Sequence, residues 1–339
     1  MGESCIIEKE SDKGDMIVRN SSIFTMVTSD LALVEAELLF VIQTPVKMLT
    51  DISVHLTKAG GKRLRPALYL LCAKQGLSNS SDKISIAAAI ELIHMATLVH
   101  DDVIDSAATR RGIATANAQW GNHASVLSGD FLFAKAFSMV AAKGSNEILC
   151  ILADVITSMC EGEIVQIKES FNPDQQEADY YARIAKKTAD FIAGSARMGA
   201  ITAGMSAADT QALHDYGYAI GMAFQITDDI LDFTSSVQQM GKPAGNDLRQ
   251  GIITLPIIHA LQNSSSGHQL REIILRRQMN ETDLKQGLAI VHHAGSIEYS
   301  YSQVARYLQQ ARDVLPRSLN EPVRAALLEV ADFVGKRSY

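Results

Sequence analysis

Two copies of one acidic pattern, DDxxD, stand far apart in this sequence. Their carboxylates are Asp101, Asp102, Asp105, Asp228, Asp229 and Asp232. Both copies lie in apolar stretches with helical periodicity, where residues i and i+4 share one face of the helix. Carboxylates at such short distances repel one another, and a bound cation relieves the repulsion. The sequence therefore predicts Mg²⁺, which takes oxygen ligands from one or two carboxylates and from substrate phosphates.

Basic segments stand near both acidic clusters. They are GGKRLRP at 60–66, RRG at 110–112, KK at 186–187 and GKP at 241–243. Arginine offers paired donors to a phosphate, and lysine adds a mobile point charge. Carboxylates, metal ions and basic groups together indicate a diphosphate substrate. Taken singly, an acidic cluster can be a solvated helix end, and GGKRLRP can be a basic loop before a helix that starts at Pro66.

Helices are the elements that must position these residues. Apolar residues recur at a 3.6-residue period, and strand-like alternation is scarce. We predict an all-α fold, a single large helical bundle domain around a central cavity at residues 26–339, after a flexible N-terminal segment at 1–25. The predicted helices span 27–58, 64–75, 82–105, 123–143, 146–170, 177–204, 207–236, 253–263, 268–276, 281–293, 297–314 and 320–336.

Composition excludes several classes of protein. With 47% hydrophobic and 20% charged residues, the 339-residue chain should fold compactly. A net charge of −7 argues against a nucleic-acid partner. Polar residues interrupt the apolar stretches 84–99 and 126–142, so we predict no transmembrane segment. The charged N-terminus has no apolar signal core, which predicts a cytoplasmic protein. Four scattered cysteines predict reduced thiols in the core: Cys5, Cys72, Cys150 and Cys160.

Six motifs together resemble the trans (E-type) polyprenyl diphosphate synthases. They are GGKRLRP at 60–66, HMATLVHDDVID at 94–105, RRG at 110–112, KT at 187–188, FQITDDILD at 224–232 and GKPAGNDL at 241–248. The likeness covers about residues 30–339 and is greatest to medium- and long-chain members, including the catalytic component of heptaprenyl diphosphate synthases. It implies the isoprenoid synthase fold and a prenyltransferase that joins isopentenyl diphosphate head-to-tail to an allylic diphosphate. The implied product has six to ten isoprene units.

The resemblance also implies a role for each matching residue. The metal set would hold three Mg²⁺ ions through Asp101, Asp102, Asp105 and Asp228. Supporting ligands would be Asp229 and Asp232. The allylic substrate would be held by Arg110, Lys187, Thr188, Gln225 and Lys242. Isopentenyl diphosphate would be held by Lys62, Arg65, His94 and Arg111. For His94 alone, the sequence leaves open a structural role as a hydrogen-bonded core histidine.

Product length should depend on the helix that precedes the first acidic cluster. Ala96 and Thr97 stand just before Asp101, where short-chain relatives commonly place aromatic residues that close the tunnel floor. Small side chains there predict a long-chain product. Deeper boundaries of the tunnel would be Ile90, Ile93, Phe133 and Phe137. Ala96 could instead be a helix former packed against a neighbour. The glycines at 217 and 221 could likewise line the tunnel or allow close helix packing.

Other functions remain to be weighed. A terpene cyclase would share the first acidic cluster, but usually carries an Asn/Ser/Glu triad in place of the second and does not need GGKRLRP. Head-to-head condensation of the squalene synthase type is disfavoured because the isopentenyl diphosphate residues suit head-to-tail growth. A non-catalytic subunit would be expected to have degenerate acidic motifs. The resemblance implies a homodimer, and a small partner subunit is the open alternative.

Overall fold

Helices account for almost all regular structure in the computed structural model, which describes residues 22–76, 79–234 and 245–336. A 3₁₀ helix, Ser22–Val27, comes first. The α-helices are α1 Thr28–Val41, α2 Lys47–Lys58, α3 Leu64–Ala73, α4 Ser80–Ile104, α5 Ala116–Lys143, α6 Asn146–Glu169, α7 Glu177–Ile184, α8 Asp190–Thr202, α9 Ala207–Thr234, α10 Asn246–Gln250, α11 Leu255–Asn263, α12 Gly267–Leu275, α13 Glu281–His293, α14 Ser296–Val314 and α15 Glu321–Gly335. A π-helix, Ala185–Ala189, joins α7 to α8. Strands β1 (Thr109–Arg110) and β2 (Ile113–Ala114) form an antiparallel hairpin between α4 and α5. The all-α prediction is confirmed.

Helix starts follow local sequence signals. Asn79, Ser145 and Asn320 accept hydrogen bonds from backbone N–H groups in the first turns of α4, α6 and α15. Asn280 caps α13 and exchanges a reciprocal bond with Asp283, the arrangement called a capping box. These side chains satisfy backbone donors that have no partner within the helix, which is why the predicted starts lie near the observed ones.

The predicted helix at 27–58 is wrong as one element. It is divided into α1 and α2 by a break that contains Pro45. Proline lacks the N–H that a helix interior needs, and it disfavours helical geometry in the residue before it. The predicted helix at 123–143 begins earlier, at Ala116, and has a kink at Gly121, where φ is +82°.

Two long helices carry the acidic clusters. The core helix α4 packs against α5 and α3, and α9 packs against α8 and α14. The first cluster lies at the C-terminal end of α4, and the second lies in the last turns of α9. The C-terminal end of a helix carries partial negative charge, so carboxylates there are destabilising unless a cation is near. Both clusters therefore stand where folding alone would not favour them.

Small residues let α9 approach α8 and the π-helix that precedes it. A Cβ on Gly217 would lie 2.8 Å from Ala193 Cα, and one on Gly221 would lie 2.5 Å from Ala189 Cα. Real Cβ atoms do not come so close to backbone, so a larger residue would push the helices apart. Close packing, the alternative that the sequence left open for these glycines, is thus the observed role.

Three of the four cysteines lie in the described part of the chain, and all three are free thiols. Cys72 is buried, as predicted. Cys150 and Cys160 are exposed on α6, so their predicted core location is wrong. Cys5 lies outside the described residues, as does most of the segment at 1–25, whose flexibility and boundary stay predictions.

Length and apolar composition alone would allow α4 and α5 to cross a membrane. The most apolar window of α4 is 72% buried, which makes it a core helix. The corresponding window of α5 is only 33% buried. A large share of the apolar surface of α5 therefore has no cover within the described part of this chain.

Candidate active site

The three carboxylates of the first cluster differ in their surroundings. Asp102 is 2% exposed, and its Oδ1 accepts a hydrogen bond from Arg110 Nε at 2.8 Å. Asp101 is partly buried and Asp105 is exposed. Asp101 and Asp105 lie one helical turn apart and can present oxygen atoms to one cation. Asp102 also anchors the β1–β2 hairpin, because its Oδ1 accepts the hydrogen bond from Arg110.

Burial raises the pKa of Asp101 to about 6, and the negative charges of Glu163 and Asp105 add to the rise, whereas Lys187 and Arg110 oppose it. A raised pKa in the folded state means that the ionised carboxylate destabilises the metal-free protein. A divalent cation beside Asp101 would remove this penalty. The position therefore suits a metal ligand better than a structural role.

Stability of the metal-free protein should consequently fall as pH rises from about 4 to 6. In this window the folded state binds more protons at Asp101 than the unfolded state does. The lost contribution is at most about 3 kcal/mol, because two pKa units correspond to that free energy and the side chain is partly exposed. Asp101→Asn should remove the part of this slope that Asp101 contributes, in urea unfolding measured with EDTA, while the raised pKa values of Asp229 and Asp247 maintain the rest. Asp215→Asn, an exposed site on α9, is the control, and equal slopes in both variants would contradict the prediction.

The second cluster also divides into distinct roles. Asp229 is buried and accepts hydrogen bonds from Tyr180 Oη and Gln225 Nε2, both at 2.7 Å. Burial raises the pKa of Asp229 to about 7, although these bonds and Arg183 lower it. Asp228 is the partly exposed member. Asp229 therefore orients its neighbours, and Asp228 is the member placed to meet a cation.

Asp232 caps a helix. Its carboxylate accepts the backbone N–H groups of Asn246 at 3.2 Å and Asp247 at 3.1 Å, at the start of α10. Burial raises the pKa of Asp247 well above its usual value, and the charges of Asp232 and Asp229 add to the rise. Both oxygen atoms of Asp232 therefore already accept hydrogen bonds, and its role as a supporting ligand stays a prediction.

A basic cluster surrounds His94. Its Nε2 lies 3.3 Å from Arg65 Nη1. Burial holds the pKa of His94 well below its usual value, and the positive charges of Arg65, Arg111, Arg63 and Arg110 lower it further. The imidazole is therefore neutral at pH 7, and Nε2 accepts from Arg65 while Nδ1 carries the proton. The structure thus brings three of the four residues predicted to hold isopentenyl diphosphate to one place, namely Arg65, His94 and Arg111.

Arg65 connects this basic cluster with the second acidic one. Burial lowers the pKa of Arg65 to about 10, and the charges of Glu91 and Asp228 oppose that shift. Its guanidinium carbon lies 4.9 Å from the centre of the Phe191 ring. Its Nε is buried and has no hydrogen-bond partner among the described residues. An unsatisfied buried donor next to other cations is a feature that an anionic ligand would satisfy.

Two contacts fix the loops around Arg65. Arg63 has a left-handed backbone, φ +47°, and its side chain is buried between Glu35 and Glu91, with nitrogen–oxygen distances of 2.6 and 2.5 Å. Arg111 donates to the backbone oxygen of Gly60. A Cβ on Gly61 would lie 3.1 Å from Arg111 Nη1, so a larger residue there would require the end of the Arg111 side chain to shift.

Lys187 and Thr188 lie in the π-helix. Lys187 Nζ pairs with Glu163 Oε2 at 2.6 Å, and its charge acts on both Asp101 and Asp247. Thr188 Oγ1 donates to Gln225 Oε1 at 2.7 Å. Lys187 is therefore a neighbour of the first acidic cluster and of Asp247, whose backbone N–H donates to Asp232. A π-helix turn rotates the residues that follow it and is often found at functional sites.

The remaining predicted residues have different settings. Lys62 Nζ lies 6.0 Å from the centre of the Phe333 ring at the end of α15. Lys242 lies outside the described residues. Ala96 is fully buried, and Thr97 Oγ1 donates to the backbone oxygen of His94 at 2.8 Å. Ile90 and Ile93 are also buried. Burial fits both a tunnel boundary and ordinary core packing, so the chain-length assignment stays a prediction.

The donor chemistry fits Mg²⁺ without a preformed cage. Among the described residues, no three His, Cys, Asp or Glu side chains are grouped closely enough to hold a metal ion by themselves. Mg²⁺ usually binds through one or two carboxylates and completes its shell with water and substrate phosphate. Asp101, Asp105 and Asp228 supply hard oxygen ligands of this kind, and the basic groups stand ready for the phosphate.

Sequence reasoning missed four residues of this site. Glu163 pairs with Lys187, Tyr180 bonds to Asp229, Glu91 pairs with Arg63, and Asp247 receives the cap from Asp232. Glu91 stands in an apolar stretch of α4, and an acidic group there needs a partner. That signal could have marked Glu91, although it does not identify the partner.

Comparisons with known proteins agree with this geometry. The family model described as Polyprenyl synthetase matches residues 46–291. The chain is 40% identical over 321 residues to "Heptaprenyl diphosphate synthase component 2" of Geobacillus stearothermophilus, covering 94% of this chain and 99% of that one. It is 36% identical to "Octaprenyl diphosphate synthase" of Haemophilus influenzae, covering 91% and 94%. A polyprenyl synthase from Caulobacter crescentus, solved with calcium and isoprenyl diphosphate, superimposes with a TM-score of 0.88 at 35% identity, covering 94% and 97%.

Proposed function

Because this chain belongs to the polyprenyl synthetase family and is a prenyltransferase, we propose that it joins isopentenyl diphosphate head-to-tail to an allylic diphosphate. The observation that carries the proposal is the basic cluster around His94, which reaches both acidic clusters. Arg110 donates a hydrogen bond to Asp102, and the negative charge of Asp228 raises the pKa of Arg65. One site thus combines carboxylates for metal ions with two sets of cations for two diphosphates.

The reaction follows from these groups. The allylic C1–O bond breaks to give diphosphate and an allylic cation, the double bond of isopentenyl diphosphate attacks that cation, and loss of a proton restores a double bond. Three Mg²⁺ ions, held by Asp101, Asp102, Asp105 and Asp228, would stabilise the negative charge that develops on the leaving diphosphate. Asp229 orients Gln225 directly and Thr188 through it. Asp232 fixes α10 at the edge of the site.

Substrate binding is divided between two groups of residues. The allylic diphosphate is held by Arg110, Lys187, Thr188, Gln225 and Lys242. Isopentenyl diphosphate is held by Lys62, Arg65, His94 and Arg111. A neutral His94 suits this role, because it can donate one hydrogen bond without adding to the repulsion among the arginines.

The assay that tests this function uses the purified chain with Mg²⁺, labelled isopentenyl diphosphate and an allylic primer. We expect a labelled product of six to ten isoprene units after dephosphorylation. Product that forms only when a second, small subunit is added would replace the homodimer with a two-subunit enzyme. Absence of product under both conditions would refute the proposed function.

A homodimer in the cytoplasm is part of the proposal. The exposed apolar residues of α5 and α6 support the homodimer, since Leu127 is 65% and Ile164 66% exposed. Such surface on neighbouring helices usually marks a contact with another chain. The small partner subunit stays the alternative, because one relative carries the name of a component. Sedimentation of the isolated chain distinguishes a dimer from a monomer that awaits a partner.

Ala96→Phe tests the proposed floor of the product tunnel. The larger side chain should block growth and shift the products to shorter chains while the first condensation persists. Product sizing and thermal unfolding are measured together, because overpacking of a buried site also costs about 1–3 kcal/mol. An active variant with unchanged product length would show that Ala96 only packs between helices.

A further inference from the structure

One ion pair at the edge of the site has no role in the mechanism above. Glu163 on α6 pairs with Lys187 in the π-helix, with 2.6 Å between Oε2 and Nζ. The Glu163 side chain is 15% exposed and that of Lys187 33%. The backbone is close at Gly162, where a Cβ would lie 3.0 Å from Lys186 Cβ and 3.2 Å from the Lys187 backbone nitrogen. The two backbones therefore approach closely enough to set this pair in place.

Lys187 has a second acidic neighbour. Its positive charge acts on Asp101, and Glu163 acts on the same carboxyl with the opposite sign. A lysine side chain has four rotatable carbons and can pair with any carboxylate within reach. If the ammonium paired with Asp101, it would occupy the position that a divalent cation needs. Some other group must hold it elsewhere.

We propose that Glu163 is a positioning residue that holds the Lys187 ammonium away from Asp101. This keeps the Asp101 carboxylate open to a divalent cation and the ammonium available to the incoming diphosphate. The inference rests on the proposed function, since it takes Asp101 as a metal ligand. Glu163 acts through Lys187 and touches neither metal nor substrate.

Removing the Glu163 charge should therefore raise the Mg²⁺ concentration that the site requires. In Glu163→Gln the Lys187 ammonium loses its partner and competes with Mg²⁺ for Asp101. We expect the requirement to rise about two- to fivefold, the effect of a partly exposed ion pair. A high Mg²⁺ concentration should then restore most of the thermal stabilisation seen in the wild-type protein. A merely structural role of Glu163 would not allow this recovery.

The direct alternative is that Glu163 attracts the cation through its own charge. A double-mutant cycle separates the two readings. If Glu163 acts through Lys187, then Glu163→Gln changes nothing in a protein that already carries Lys187→Gln. If Glu163 attracts Mg²⁺ itself, the requirement rises by the same factor in both backgrounds.

The experiment measures the Mg²⁺ concentration at half-maximal thermal stabilisation in the presence of inorganic diphosphate. We expect an increase in Glu163→Gln, none in Glu161→Gln, and no difference between Lys187→Gln and the double variant. Glu161 is the matched control because it pairs with Lys186 on the exposed side of the same contact. Glu163→Ser replaces Glu163→Gln if the latter does not fold.

The outcomes separate the inference from the function on which it rests. One outcome is that Mg²⁺ stabilises the wild-type protein while Glu163→Gln requires the same Mg²⁺ concentration as wild type. That result would overturn the role of Glu163 and leave the proposed function standing. An equal rise in both backgrounds would also overturn the role of Glu163. A wild-type protein that neither Mg²⁺ nor diphosphate stabilises would overturn the proposed metal site, and this inference with it.

Discussion

Replacement of Asp101 or Asp228 by asparagine should lower kcat by about 10³-fold or more, because a metal that stabilises a leaving group contributes several kcal/mol to the transition state. Asparagine keeps the shape of the side chain and removes its charge. Both residues are the partly exposed members of their clusters, so the fold should tolerate the change. Initial rates at saturating substrates and Mg²⁺ measure the effect.

Asp215→Asn is the control for this experiment. Asp215 stands on α9, the helix of Asp228, but its carboxylate is exposed and its hydrogen-bond partners are the neighbouring side chains of Gln211 and His214. Its kcat should match wild type. A loss below tenfold in both Asp101→Asn and Asp228→Asn would contradict the assignment of these residues to the metal set.

The second large effect concerns Arg65. Arg65→Met should lower kcat/KM for isopentenyl diphosphate by about 10²-fold or more, since truncating one partner of a buried charge pair costs 2–5 kcal/mol. The KM for the allylic substrate should change far less. Arg65→Lys should recover only part of the loss, because an ammonium lacks the planar fork and does not stack on Phe191 in the same way.

Arg271→Met is the matched control for Arg65. The Arg271 side chain is exposed and pairs with the exposed Asp174, so its removal should alter neither rate nor KM. Equal losses for both substrates in Arg65→Met would show a general disturbance of the site. That result would contradict a specific role of Arg65 with isopentenyl diphosphate.

Much of the helical framework could be predicted from sequence because its signals are local. Periodicity and the Asn280 cap place α13 at the predicted residues, and Ser145 does the same for the start of α6. The break between α1 and α2 was also visible, since Pro45 cannot lie in a helix interior. The apolar periodicity continues across this break, and by itself it predicts one helix.

The inequivalence within each acidic cluster could not be predicted. The motif is the same in both, yet Asp102 pairs with Arg110 and Asp232 caps α10. These partners come from a two-residue strand and a five-residue helix, elements too short to show a hydrophobic period. The π-helix at Ala185–Ala189 also could not be predicted, because one inserted residue does not disturb the average period of a long helix.

The central claim is that the two acidic clusters are two sides of one site for metal ions and diphosphate. A crystal structure with Mn²⁺ in place of Mg²⁺ and an unreactive thiolo analogue of the allylic diphosphate tests it most directly, because the anomalous signal of Mn²⁺ locates each ion. We predict Mn²⁺ between Asp101 and the diphosphate, and also between Asp228 and the same diphosphate. Mn²⁺ at only one cluster, or diphosphate bound away from both, would contradict the claim.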